Sequence, residues 1–291
     1  MKHFYSLVIM SLFLFTGTRA QNPIVVSEDN FDFGSGDVNG YSVVIPEVDY
    51  ETTLKNWIKY LESGTRSKVV QKGENLSIFG AKVKPVSDDP VNVYSMLTKD
   101  PSGVKLQAAF ELERDRYAGA TEYANARKYL FDFAKDEYMA VVSNQLNEEQ
   151  KILRSLEGDL RALKNDQEKM QKSNESGKGT IEEETQRLAD LKSQLASLSP
   201  EEYHGDSAAV TGMGAKSPDQ VKDLEKERKK INREISSAED RIQKAQKEIA
   251  ENERTLPGNL SEQETAKRKV EDQQQVVSKL EKKVDTIKSY K

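Results

Sequence analysis

From Leu146 to Ile287 the chain repeats leucine and isoleucine at heptad spacing, and no other feature restricts its fold as tightly. A sustained apolar a/d pattern, with charges between, commits a segment to helices that bury one seam against another helix. The pattern falls into four stretches. The first has Leu146, Leu153, Leu160 and Gln167 at a, with Glu149, Leu156, Leu163 and Met170 at d. The second has Ile181, Leu188 and Leu195 at a, with Glu184, Leu191 and Leu198 at d. The third runs from Val221 to Leu256 and the fourth from Gln263 to Ile287.

The breaks carry turn residues. Ser173–Gly179 holds two glycines, Pro257-Gly258-Asn259 interrupts the last two stretches, and each break precedes a capping-box pair, Thr180 with Glu183 and Ser261 with Glu264. These signals predict two antiparallel hairpins, 144–198 and 218–291, joined by a flexible linker over 199–217 that is rich in glycine. Folded back on itself, the first hairpin sets Leu163 against Leu188, Gln167 against Glu184 and Asp166 near Arg187. The second sets Asn252 against Gln263, with Glu234 beside Lys283 and Glu248 beside Lys269. A parallel homodimer would instead place Glu234 near Glu239 and Glu248 near Glu253, like charges that disfavour it. The heptad phase runs unbroken across both interruptions, which would also suit continuous helices. The glycines and the proline favour turns.

Aromatic residues mark the other half. Every Trp and Phe, and nine of the eleven Tyr, lie at or before Tyr138. Globular cores use aromatic side chains where long helical hairpins use aliphatic ones, so an α+β domain is expected over 41–143, after an irregular lead-in at 21–40. Tyr41–Pro46 reads as a strand. Asp49 starts a helix with Leu54, Trp57, Ile58 and Leu61 on one face, closed by Gly64. Strands follow at Lys68–Lys72, Leu76–Val83, Val91–Thr98 and Val104–Leu112, and a second helix starts near Thr121. In the last strand Val104, Leu106, Ala108, Phe110 and Leu112 face one way and Lys105, Gln107, Ala109 and Glu111 the other. The order strand, helix, four strands, helix over 41–142 resembles the TATA-binding-protein-like fold, which implies an antiparallel sheet with two helices on one face. The resemblance is topological and carries no function. The basic DNA-reading surface of that family has no counterpart here, so no nucleic-acid partner is expected.

Residues 1–20 have the layout of a secretory signal peptide: Lys2, an apolar run from Phe4 to Phe15, and small residues at Thr18 and Ala20. The run is too short to span a bilayer, and no second apolar run of spanning length follows. An exported protein, periplasmic or extracellular, is expected. With no cysteine, a lipoprotein anchor, disulfides and thiolate metal sites are excluded. Removing Lys2 and Arg19 from the 44 basic residues leaves 42 against 49 acids, a formal charge of −7. That charge suits neither nucleic acid nor an anionic membrane surface.

The inventory for chemistry is poor. His204 is the one histidine beyond the leader and falls in the linker, which leaves no partner set for a zinc site or a Ser-His-Asp triad. Gly34–Gly40 precedes a strand and lacks dinucleotide spacing, and Asp29, Asp32 and Asp37 do not complete a calcium loop. Ser176–Thr180 resembles part of a phosphate loop but lacks its first glycine and its Ser/Thr. Trp57, Tyr60, Tyr94 and Tyr129 are candidates to line a ligand groove, with core packing the simpler role. Asn75, Asn174 and Asn259 head glycosylation sequons. No catalytic, cofactor-binding or metal residue is assigned and no cofactor is expected. The expectation is a non-enzymatic scaffold or adaptor of the cell envelope that binds a protein partner through its helical hairpins. The alternatives are a ligand-binding module, with a pocket around Trp57 and Phe110 and the hairpins as spacer, and a periplasmic holdase chaperone.

Overall fold

The computed structural model describes residues 24–33, 36–198 and 218–291. The expected leader at 1–20, the linker at 199–217 and His204 lie outside the described residues. The chain divides into two compact units. One comprises the described residues up to Gln150 together with Val276–Lys291, and the other comprises Lys151–Gln275.

The first unit holds an antiparallel sheet. Its strands are β1 (Val26–Asp32), β2 (Asp37–Pro46), β3 (Val70–Lys72), β4 (Asn75–Ala81), β5 (Val91–Asp100), β6 (Gly103–Glu113) and β7 (Arg116–Tyr117). Their order is β1-β2-β6-β5-β4-β3, with β7 on β6. Helix α1 (Tyr50–Leu61) follows β2, and its N-cap is Asp49, whose side chain accepts from the Thr52 amide. Such a cap satisfies one of the orphan amides of the first turn. Gly64 has φ +71° just after the helix, where a side chain would be strained.

The alternation foreseen in β6 is present. Val104, Leu106, Ala108 and Phe110 are all but fully buried beneath α1 and the start of α2 (Tyr123–Ser197), with Trp57, Leu61, Leu130 and Phe133 in the same core. Trp57 Nε1 donates to Ser95 Oγ at 2.9 Å, which satisfies the indole nitrogen inside the core. The core also includes Val284 and Ile287, near the end of α3 (Pro218–Ser289).

The sequence reading missed part of this sheet. The irregular lead-in is instead β1 and the first half of β2, paired from Val26 with Val43 to Asp32 with Asp37. β1 is an edge strand rich in Glu28, Asp29 and Asp32, so it lacks an apolar alternation to announce it, and its charges guard the edge. The tip of this hairpin also reaches the sheet face away from the helices. Asn75 Nδ2 donates to the Phe33 carbonyl at 3.2 Å. Gly40 makes room for this path: a Cβ there would stand 2.9 Å from both the Ala108 carbonyl and the Phe31 ring. Phe31 is buried, and Gln107 and Ala109 on this face are buried as well.

The larger correction concerns the helices. The two expected hairpin turns do not exist. Residues 173–179 are helical within α2, and Pro257, Gly258 and Asn259 are helical within α3. The helices form one antiparallel pair with each other. Within the second unit, Asn259 reaches the Leu163 carbonyl, Thr255 meets Met170, Asn252 meets Asn174, Arg241 meets Glu184 and Glu234 meets Arg187. Numbers rise along one helix as they fall along the other. The pairings expected from two hairpins, Leu163 with Leu188 and Asn252 with Gln263 among them, are replaced.

The unbroken heptad phase explains why. Counting by sevens places Asn174 at a and Gly177 at d, and neither is fully exposed. A Cβ on Gly177 would lie 3.1 Å from Ile249 Cδ1, so this glycine is a packing surface for Ile249 rather than a turn. Pro257 follows the a residue Leu256 and is exposed. The carbonyl that loses its amide partner belongs to Glu253, which is exposed as well, and an exposed position moderates the usual cost of a helical proline.

Candidate protein-binding surface

Three of the four aromatic candidates assemble, on the helix side of the sheet. Trp57 stacks on Tyr60 with ring centroids 5.9 Å apart, and Tyr60 lies 4.7 Å from Tyr129. Phe133 packs edge-on to Trp57 at 4.9 Å. Burial pushes the Tyr60 phenol up to about 12, with Asp132 and Asp136 adding to it. Burial also raises Tyr129. Trp57 and Phe110 are 0% exposed, so the position foreseen for a ligand pocket is filled by side chains.

Tyr94 lies apart from them, on the opposite face. Its neighbours are Phe79 at 6.2 Å and Tyr117 at 6.3 Å. Its hydroxyl donates to Glu111 Oε2, which also accepts from Asn92 Nδ2. The Asn92 hydrogen bond leads the causes that hold the Glu111 carboxyl below its usual range.

Among the described residues no group of three or more His, Cys, Asp or Glu side chains stands close enough to hold a metal ion. No described helix is long and apolar enough to cross a membrane. The three sequon asparagines are held in hydrogen bonds. Asn75 and Asn259 donate to main-chain carbonyls, and Asn174 accepts from Asn252.

The second unit presents a long helical seam. Its a and d residues Leu153, Leu156, Leu160, Leu163, Leu188 and Leu195 are only half-buried, because two helices alone cannot cover both flanks of a seam. Buried seam residues are fewer, among them Leu191, Ile231, Ala238 and Ala245.

Polar side chains interrupt the seam and meet polar partners. Asn252 Nδ2 donates to Asn174 Oδ1 at 2.8 Å, and Gln263 Nε2 donates to Gln167 Oε1 at 2.8 Å. Glu184, 9% exposed, accepts from Arg241 at 2.6 Å. Sequence reasoning had identified Gln167, Glu184, Asn252 and Gln263 as polar seam residues but matched them to the wrong partners. Such pairs fix register at some cost in stability.

Beside the seam lies a groove of about 280 Å³. Leu156, Leu163 and Ala266 form its apolar part, and Asp159, Glu262 and Lys269 its charged part. It is open because the small Ala266 stands among leucines. The sequence alone could have pointed here, since Ala266 is the one alanine at d in the fourth stretch.

The chain matches no family model, no curated protein and no solved structure.

Proposed function

We propose that this chain is a non-enzymatic scaffold or adaptor that receives a protein partner along the α2–α3 pair of its second unit. The observation that carries the reading is the row of half-buried leucines beside an open groove, where a pair of helices has more apolar seam than it can cover. An amphipathic helix of the partner fits this geometry, its apolar stripe against Leu156, Leu163 and Ala266 and its charges opposite Asp159, Glu262 and Lys269. The polar pairs Asn174–Asn252 and Glu184–Arg241 support the same reading, since a fixed register presents a fixed surface.

Export to the cell envelope, on the periplasmic or extracellular side, belongs to the proposal and rests on the leader-like sequence of residues 1–20. So does the TATA-binding-protein-like topology of 41–142, which the strand order β2-β6-β5-β4-β3 supports.

The test is affinity capture from envelope extract of the source cells, with the full chain as bait after mild cross-linking. A double variant, Glu262→Lys with Lys269→Glu, serves as the comparison. Both side chains are exposed, so the reversal leaves the seam intact. The expected result is one discrete partner on the wild-type chain that the variant loses. Identical capture by both chains would remove the reading.

A further inference from the structure

The sheet of the first unit ends in two unlike edges. β1 lines one of them, with Glu28, Asp29 and Asn30 exposed. β3 lines the other, and its Val70, Gln71 and Lys72 are all exposed, Val70 at 47%. No acid lies between Arg66 and Lys72. Lys68 is held by Glu62 at 2.7 Å, which leaves Lys72 as the cation of the strand. An unpaired edge presents a row of amides and carbonyls that another chain can pair with.

Strand direction lets one edge receive the other. Each neighbouring pair along β1-β2-β6-β5-β4-β3 is antiparallel, so β1 and β3 run in opposite directions. A second copy set beside the first in the same orientation brings its β1 antiparallel to β3, and the sheet continues from copy to copy.

The backbone groups match as well. Lys72 pairs with Asn75 across the two-residue turn Gly73-Glu74, which makes them a hydrogen-bonded pair. The amide and carbonyl of Gln71, one residue back, consequently point to the open edge. The Val69 amide points the same way and donates to Glu62 Oε1 at 3.0 Å. On β1 the Asn30 amide donates to Asp29 Oδ1 at 2.8 Å, a donor that β2 has left to the edge.

Setting Gln71 opposite Asn30 of the next copy lets the two residues exchange both backbone hydrogen bonds. The same register sets Lys72 opposite Asp29 and Val70 beside Phe31. These four share one sheet face, since Val70 pairs with Ser77 and Ser77 with Tyr94, while Asp29 pairs with Gly40. Asp29 gives up the Asn30 amide for the Lys72 ammonium, and the amide passes to the Gln71 carbonyl. Opposite charges across a strand pair stabilise it and like charges destabilise it. A contact of β1 with β1 gathers acids, and one of β3 with β3 gathers lysines, so charge selects the unlike edges.

We propose that the two edges are complementary docking surfaces for a second copy of this chain, β3 of one copy adding to β1 of the next. A head-to-tail contact leaves an open edge at each end, so assembly extends beyond a dimer. β3 contributes three residues, so each contact is small and the assembly grows and parts with protein concentration.

The test is sedimentation velocity of the full chain over a wide range of concentration, in low and high salt. The mean mass is expected to rise with concentration, and to rise at least tenfold later in high salt. Gln71→Pro removes the edge amide of β3, and Asn30→Pro removes that of β1; proline is tolerated where the amide faces outward from an edge. Each variant alone is expected to stay monomeric. Mixed in equal amounts they keep one good edge apiece, and dimers with nothing larger are expected. Asp29→Lys abolishes assembly, and Asp29→Lys with Lys72→Asp in one chain restores it. Circular dichroism verifies the fold of each variant, and the charge variants test the contact without touching the backbone. A mass independent of concentration, or assembly by Gln71→Pro equal to that of wild type, overturns the proposal. All these substitutions lie in the first unit, so partner capture by the second is tested separately.

Discussion

Single residues decide whether a glycine or a proline is a turn or a helical position, and substitutions separate the two. Gly179 and Gly258 have nothing within 4 Å of an added Cβ. In a helix, alanine at such a site is favoured by about 0.5–1 kcal/mol. Gly179→Ala and Gly258→Ala are therefore each expected to stabilise the protein by about that amount in urea unfolding, where turn glycines would instead lose stability. Pro257→Ala restores an amide to the ladder and is expected to stabilise by about 1–3 kcal/mol. Gly177→Ala differs, since Ile249 must shift before the propensity gain appears. Glu137 offers a pH-dependent case. Its carboxyl is held above its ordinary 4.5 by burial, with Asp136 adding to the shift and the Asn56 hydrogen bond opposing it. A carboxyl whose pKa is raised on folding contributes stability below the unfolded value, and that contribution is lost as pH climbs through the raised one. Glu137→Gln has no charge to desolvate. Its melting temperature relative to wild type is expected to be higher at pH 7 than at pH 4.

At the scale of elements, the seam amides are the informative part. Asn174 and Asn252 form a pair at a and d. Asn174→Ala leaves the Asn252 amide without its partner, and denaturant unfolding should register a loss of about 1–3 kcal/mol. Replacing both by leucine removes both desolvation costs and is expected to be neutral or stabilising. A double variant as unstable as the single one would mean that the amides serve something other than register. Element types were legible wherever one face is apolar and the other is not. The Asp49 cap, the α1 face and the alternation of β6 all read directly, because burial leaves its period in the sequence. β1 was not legible, since an acidic edge strand carries no such period. The helix pairing was misread for a different reason. Gly177 and Pro257 are local signals, and the phase that continues through them is a longer-range one. The longer-range signal prevailed because a heptad interrupted by a true turn has no cause to resume in register. The groove at Ala266 left one trace in the sequence, an alanine at d, but its other wall depends on which residues of α2 meet which residues of α3.

For the molecule as a whole, the pairing of α2 with α3 is the claim on which most else depends, and chain composition offers a direct test. The protein has no cysteine, so any introduced pair reports alone. Asn174→Cys with Asn252→Cys replaces side chains already 2.8 Å apart and is expected to cross-link on mild oxidation or with a short bis-maleimide. Leu163→Cys with Leu188→Cys, neighbours in a two-hairpin fold, lie 25 residues apart on one continuous helix. At about 1.5 Å per residue that separation is roughly 38 Å, beyond the reach of a disulfide. The first pair linking and the second not linking is the outcome required by one long antiparallel pair. Dilution adds a second reading from the same samples. A link within one chain forms at a rate independent of protein concentration, whereas a parallel homodimer would give doubled mass and a yield that falls on dilution. The linked chain also matters for the adaptor proposal. Locking 174 to 252 leaves Leu156, Leu163 and Ala266 untouched, so a partner that reads the fixed register binds the linked chain as well as the reduced one. A partner that must part the helices to bind would lose the linked form, and capture with oxidised and reduced bait distinguishes docking onto the pair from insertion between its helices.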